Sequence, residues 1–309
     1  MKLLITGGMG YIGQYLVRLF KEFGYEVYYT SRKQKDINDG NVRYLNLNDE
    51  NSFADLCRGM DVVIHTATMD ERKIKGNEKA ALLTNAYGTR QLYLDAVNCK
   101  VKKFIYFSTF HVYGCQNGTI DEHTVPNPVS DYGLTHYFAE QYLRQLSKQS
   151  ECSVDIIRLT NGVGMPLGNI DRWYLALNDF CRAALENQRI QMKSNGLSMR
   201  DFIAIQDVVN AVKILIERQD TGKFEVFNVS MQHSVSIKEA AKMVANIYEK
   251  RYEKKCELLI PDCTKDRQNT AGTLKVVSKK IRELGWEPIL TLEDTINDIF
   301  SQIEKTTEG

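Results

Sequence analysis

The chain has 309 residues, 43% hydrophobic and 26% charged, the proportions of a globular protein with a sizeable core, which excludes a disordered or low-complexity polymer. With 40 basic against 39 acidic side chains, a formal net charge of +1 and no long like-charged block, nothing draws it indiscriminately to nucleic acid or a membrane surface; any anion it binds must be held locally. Its 7 cysteines are scattered and form no CxxC pair, which argues against a disulfide framework or a zinc site and for reduced thiols in the cytoplasm.

Taken in chain order, short apolar runs rich in β-branched and aromatic residues alternate with helical stretches. The predicted strands are KLLIT (2–6), EVYYT (26–30), VRYLN (42–46), DVVIHTA (61–67), KFIYFS (103–108) and VDIIRL (154–159). That is the pattern of βαβ units around a parallel sheet. A strand opening at Lys2 leaves no room for a signal peptide, and no apolar run nears the ~20 residues of a membrane span. Beyond Asn161 the alternation breaks at Gly162, Gly164, Pro166 and Gly168, and a helix is predicted over 171–186. Residues 202–217 and 224–229 read as a helix and a further strand returning to the first sheet. Ser236 with Glu239, and Thr291 with Asp294, have capping-box spacing ahead of two more helices.

TGGMGYIG, residues 6–13, joins the first strand to the first helix. Gly7, Gly10 and Gly13 allow a tight turn, close approach of a pyrophosphate and close helix packing, and the helix N-terminus offers N–H groups to the anion. The fold class expected is α/β: a Rossmann-type doubly wound parallel sheet over 1–165, rejoined by 200–230, with a smaller, discontinuous C-terminal substrate domain made of 166–199 and 231–309. At the end of the second strand, a carboxylate would select NAD by binding its ribose 2′-hydroxyl. TSRKQK supplies Ser31, Arg32 and Lys33 instead. An arginine fork grips a 2′-phosphate, so NADP(H) is preferred over NAD(H), the alternative being a solvated surface loop.

Several motifs in order, TGGMGYIG, DVVIHTA, NAYGTRQLYLDAV, FSTFHVYG, YGLTH, RLTNGVG, MRDFIAIQDVVNA and a DR pair before LGWEP, resemble the extended short-chain dehydrogenase/reductase family, in particular its nucleotide-sugar epimerases, dehydratases and 4-ketoreductases. The resemblance covers nearly the whole chain. It implies cofactor contacts at Gly7, Gly10, Tyr11, Ile12, Gly13, Ser31, Arg32, Asn46, Leu47, Thr66 and Ala67. In that family a Ser or Thr, a Tyr and a Lys four residues after it carry out proton and hydride chemistry. Thr109 falls on the hydroxyl position and Tyr132 on the tyrosine, but His136 stands where the lysine belongs. Tyr132 and His136 are thus the catalytic and cofactor-facing pair, with Thr109 beside them.

The family lysine places a fixed charge beside the phenol and lowers its pKa from about 10, whereas histidine, near 6.5, is mostly neutral at physiological pH. Reduction of a ketone needs Tyr132 as a proton donor, its default state; an epimerase or 4,6-dehydratase begins by oxidising an alcohol. The Asp-Glu pair of resembling dehydratases is replaced here by Phe110 and His111. His65, within a strand, reads as structural. Asn161, Arg200 and Arg267 resemble the residues that hold the substrate's diphosphate. The reading is NADPH-dependent reduction of a keto group, at C4, of a nucleotide-linked sugar. An NAD-dependent nucleotide-sugar epimerase and a non-catalytic dinucleotide-binding or regulatory protein are the alternatives. No metal is expected. Helices around 82–97 and 132–148 correspond to those that form a two-fold dimer interface in resembling proteins, so a homodimer is expected.

Overall fold

A computed structural model describes residues 1–33, 39–115, 117–168, 170–219, 222–261 and 273–307. Its central element is a sheet of seven parallel strands: β1 (Lys2–Thr6), β2 (Glu26–Ser31), β3 (Val42–Tyr44), β4 (Val62–His65), β5 (Lys103–Thr109), β6 (Ser153–Leu159) and β7 (Phe224–Val229). They lie in the order β7-β6-β5-β4-β1-β2-β3. The order reverses between β1 and β4, and the carboxyl ends of strands flanking such a reversal open a crevice.

Side chains alternate across each strand, so both faces must be covered. Leu3 and Ile5 of β1, with Ile64, Ile105 and Ile157, pack on the helices Tyr11–Glu22 and Ile205–Glu217 through Leu16, Phe20, Val208 and Leu215. Leu4, Val63, Phe104 and Ile156 face the other way, onto Leu92, Tyr93, Ala139 and Leu143. The latter lie on the helices Gly88–Asn98 and Asp131–Ser147. A third core joins the helices Ala176–Asn187, Ile237–Tyr252 and Leu292–Thr307 through Phe180, Cys181, Val244, Ile299 and Phe300. Fully burying each such aliphatic side chain contributes roughly 2 kcal/mol. Among the described residues no helix is long and apolar enough to cross a membrane.

The element ends differ from the sequence reading where long-range partners intervene. The stretch Met199–Ala204 is a strand, and the helix starts only at Ile205, because Phe202, Ile203 and Ala204 pair in parallel with Asn161, Gly162 and Val163. The helix expected from residue 171 begins at Ala176. The helix expected over 82–97 is π-helical at Leu82–Tyr87 and α-helical only from Gly88. Both capping motifs form: Ser236 Oγ accepts from the Glu239 N–H at 3.1 Å and Thr291 Oγ1 from the Asp294 N–H at 3.1 Å.

The helix Asp131–Ser147 starts at Ser130, whose hydroxyl accepts from the Gly133 N–H. One face presents Tyr132, His136 and Glu140, spaced one turn apart. Ser108 and Arg158 are register partners on β5 and β6, and Glu140 reaches both. Its carboxylate accepts from Ser108 Oγ at 2.6 Å and, in a forked pair, from Arg158 Nε at 3.1 Å and Nη2 at 2.6 Å. Glu140 is 1% and Arg158 4% exposed, so removing either partner strands a buried charge. Glu140→Gln is expected to cost about 3–5 kcal/mol of unfolding free energy, measured by urea denaturation, and more than the Glu140→Gln/Arg158→Met double variant.

Candidate active site

The glycine loop closes through the Gly10 N–H, which donates to Gly7 O at 2.7 Å. Gly7 has φ +69°, and a Cβ there would sit 2.9 Å from Ala67 N; a Cβ at Gly13 would run into the Gly7 carbonyl. Only glycines fit this approach. Gly10 caps the first helix without a side-chain hydrogen bond, and no acidic residue occupies the first turn. The N-terminus therefore faces a cavity of about 680 Å³ at the crevice, lined by Gly7, Gly10, Tyr11, Ile12 and Gly13. Tyr11 also ties the first helix to later segments: its hydroxyl donates to Gly164 O at 2.6 Å and accepts from Asn178 Nδ2 at 3.0 Å. What it offers a ligand is its backbone.

The other expected dinucleotide contacts ring the same cavity: Ser31 and Arg32 after β2, Asn46 and Leu47 after β3, Thr66 and Ala67 after β4. Ser31 is buried, its Oγ accepting from the Lys33 N–H at 3.1 Å, while Arg32 is exposed at the rim. Thr66 Oγ1 donates to Thr6 O at 2.7 Å, joining β4 to β1 beneath the loop.

Thr109, Tyr132 and His136 line the same cavity. Thr109 ends β5 and accepts from the His111 N–H at 3.2 Å, and its hydroxyl is close enough to Tyr132 to act on the phenol. The rings of Tyr132 and His136 meet edge-on at 4.6 Å, and His111 stands 5.8 Å from Tyr132 on its other side. Burial, with the Glu71 carboxylate adding to it, raises the Tyr132 phenol to about 12, the nearby Thr109 hydroxyl opposing it. Desolvation lowers His136 to about 3, with His111 adding to it, and lowers His111 to about 4, with Arg200 adding. At neutral pH the phenol is protonated and both imidazoles are neutral.

His136 Nδ1 lies 2.8 Å from the Tyr106 hydroxyl, and its Nε2 has no hydrogen-bond partner although buried. Behind it, His65 is wholly buried between Thr6 Oγ1 at 2.6 Å and Thr89 Oγ1 at 2.8 Å, the structural placement its position in a strand suggests.

Of the residues expected to hold a diphosphate, Asn161 and Arg200 line the cavity, whereas Arg267 lies outside the described residues. Asn161 Nδ2 donates to Asp201 O at 2.9 Å, and an Arg200 Nη donates to Met199 O at 2.8 Å. Sequence reasoning missed a clasp across the cavity. Asp70 pairs with Arg172 and accepts from the Tyr174 hydroxyl at 2.9 Å, and the Arg72 guanidinium lies 3.9 Å over the Tyr174 ring. Asp70 and Arg172 are 102 positions apart; no local pattern could have joined them.

The buried histidines couple folding to pH. His65 is lowered to about 3, chiefly by desolvation. A depressed folded pKa means that the unfolded chain takes up protons first, so the stability contributed is complete above ~6.5 and is lost as pH falls toward 3. In His65→Gln the slope of unfolding free energy against pH between about 6.5 and 4 is expected to drop by up to about 1.4 kcal/mol per pH unit, read from denaturation curves across that range.

The chain is 25% identical over 307 residues to a human dTDP-D-glucose 4,6-dehydratase, covering 93% of this chain and 85% of that one. It is 27% identical over 243 residues to the dTDP-4-dehydro-6-deoxyglucose reductase of Escherichia coli, covering 78% and 74%. Among solved structures, the UDP-glucose 4-epimerase of Thermotoga maritima with UDP-glucose superimposes with a TM-score of 0.83 at 24% identity, covering 99% and 100% of the two chains. Three chemistries share this frame. The model of the NAD-dependent epimerase/dehydratase family matches residues 3–230, and the chain, with its parallel sheet, glycine loop and Thr109-Tyr132 pair, belongs to that family.

Proposed function

We propose that the protein is an NADPH-dependent reductase of a keto group, at C4, on a nucleotide-linked sugar. The observation that carries this reading is the setting of Tyr132: a phenol held protonated by burial, with a neutral imidazole where a lysine would lower its pKa. Residues at the cavity suit a dinucleotide: Gly7 and Gly13 let the loop close tightly where a Cβ would clash with Ala67 or the Gly7 carbonyl, and the uncapped helix N-terminus would face a pyrophosphate. When bound, the nicotinamide supplies the hydride. Tyr132 then protonates the developing alkoxide and Thr109 orients that oxygen. Ser31 and Arg32, at the end of β2, favour a 2′-phosphate and hence NADP(H) over NAD(H). Arg200 and Asn161 are assigned to the substrate diphosphate, with Arg267 as a further contact, and 166–199 with 231–309 to the substrate-binding part.

A nucleotide-sugar epimerase is the second reading, since relatives of that activity match equally well. It must begin by oxidising an alcohol, which calls for the Tyr132 phenolate. At a pKa of about 12 that form is on the order of one molecule in 10⁵ at pH 7. A protein that only binds the dinucleotide would keep the loop and show no turnover. We also place a homodimer contact on the packed helices Leu82–Tyr87 and Asp131–Ser147, where Leu82, Leu83, Tyr87 and Phe138 are exposed. Exposed apolar clusters of this kind mark interfaces.

The test follows nicotinamide absorbance when NADPH, or NADH in parallel, meets a panel of nucleotide-linked 4-keto-6-deoxy sugars. Stoichiometric loss of NADPH with one member is expected, and Tyr132→Phe should abolish it while leaving NADPH binding nearly intact; full activity in that variant sinks the assignment. The rate of reduction should be flat through neutral pH, whereas oxidation of the isolated product should rise about tenfold per pH unit up to pH 10.

A further inference from the structure

The hydroxyl and imidazole protons behind the cavity can be placed one by one. Thr89 Oγ1 lies 2.6 Å from Asn85 O, a carbonyl that can only accept, so the Thr89 proton is spent there. Thr89 Oγ1 must then accept from His65 Nε2, 2.8 Å away, which leaves His65 Nδ1 bare to accept from the Thr6 hydroxyl at 2.6 Å. Tyr106 lies between the two histidines, its ring stacked on His65 at 5.5 Å and on His136 at 5.8 Å. It is wholly buried and remains protonated. Two acceptors are near its hydroxyl: Thr89 Oγ1, already engaged in two hydrogen bonds, and His136 Nδ1 at 2.8 Å. The imidazole nitrogen is the more basic and the less committed, so it accepts the hydrogen bond from the Tyr106 hydroxyl.

We infer that Tyr106 is a positioning residue that fixes His136 as the Nε2–H tautomer, making Nε2 a neutral hydrogen-bond donor into the cavity for an oxygen of the bound dinucleotide. His136 is 2% exposed, lines the cavity and has Nε2 without a partner. A buried donor left unmet is unfavourable, and a ligand oxygen relieves it. The donor supplies direction but no charge, so it orients the cofactor without lowering the neighbouring phenol. The ligand clause rests on the proposed function; the tautomer does not.

The tautomer is read from long-range ¹H–¹⁵N spectra of unliganded protein labelled in its 5 histidines, with His136 assigned by the signals missing in His136→Asn. A protonated Nε2 and a bare, hydrogen-bonded Nδ1 are expected at neutral pH. A protonated Nδ1 overturns the inference, whatever the enzyme's activity. In Tyr106→Phe, which keeps the ring, the His136 signals should move to a mixture of both tautomers and NADPH affinity should fall about tenfold; unmoved signals also overturn it. If that variant does not fold, the wild-type spectrum still decides. Loss of ketoreductase turnover with the tautomer intact would reject the proposed reaction alone.

Discussion

Glu140 and Arg158 meet 2.6 Å apart beneath the cavity, in a region where neither charge would be tolerated alone. Because Tyr132, His136 and Glu140 share one helix face, fastening Glu140 to β6 sets the rotation of the helix and so the direction of the phenol and the imidazole. The bond from Ser108 to the same carboxylate extends the constraint to β5, whose next residue is Thr109. Hydroxyl, phenol and imidazole are thus located by one ion pair that touches none of them. Replacing it by apolar side chains would keep a core but lose the directional fork that specifies the helix position.

Once the helix is placed, desolvation decides the protonation states. It raises Tyr132 to about 12 and lowers His136 and His111 to about 3 and 4, each group moving toward its neutral form. Two pKa units on the phenol amount to about 3 kcal/mol against the phenolate. A lysine at position 136 would oppose that with a charge; a histidine whose Nδ1 faces a tyrosine does not. The side of the cavity that holds Tyr132 therefore keeps its phenol protonated and disfavours the phenolate.

Local patterns made much of this legible. Alternation announced the strands that became β1 to β6, the glycine spacing announced the loop, and four-residue spacing brought Tyr132 and His136 together on a helix. What was not legible depends on distant partners. Met199–Ala204 becomes a strand only because Asn161–Val163 lies beside it; Asp70 meets Arg172 from 102 positions away. The sequence reading treated His136 as a weak substitute for a cation, but its burial depends on Tyr106 and on the packing of β5 against the helix, none of which a single segment encodes. Arg267 falls outside the described residues, so the proposed diphosphate contact has Asn161 and Arg200 placed at the cavity.

The similar proteins named above carry out a dehydration, a reduction and an epimerisation on one frame, so the frame does not choose the reaction. The choice of reaction then lies with the groups at the site. At position 111, where the resemblance to dehydratases would put a carboxylate, stands an imidazole that burial and Arg200 keep neutral. Position 136 decides whether the phenol ionises with ease; here it does not. With neither a carboxylate at position 111 nor a lysine at position 136, the site keeps Tyr132 as a protonated phenol, the form that the proposed reduction would use.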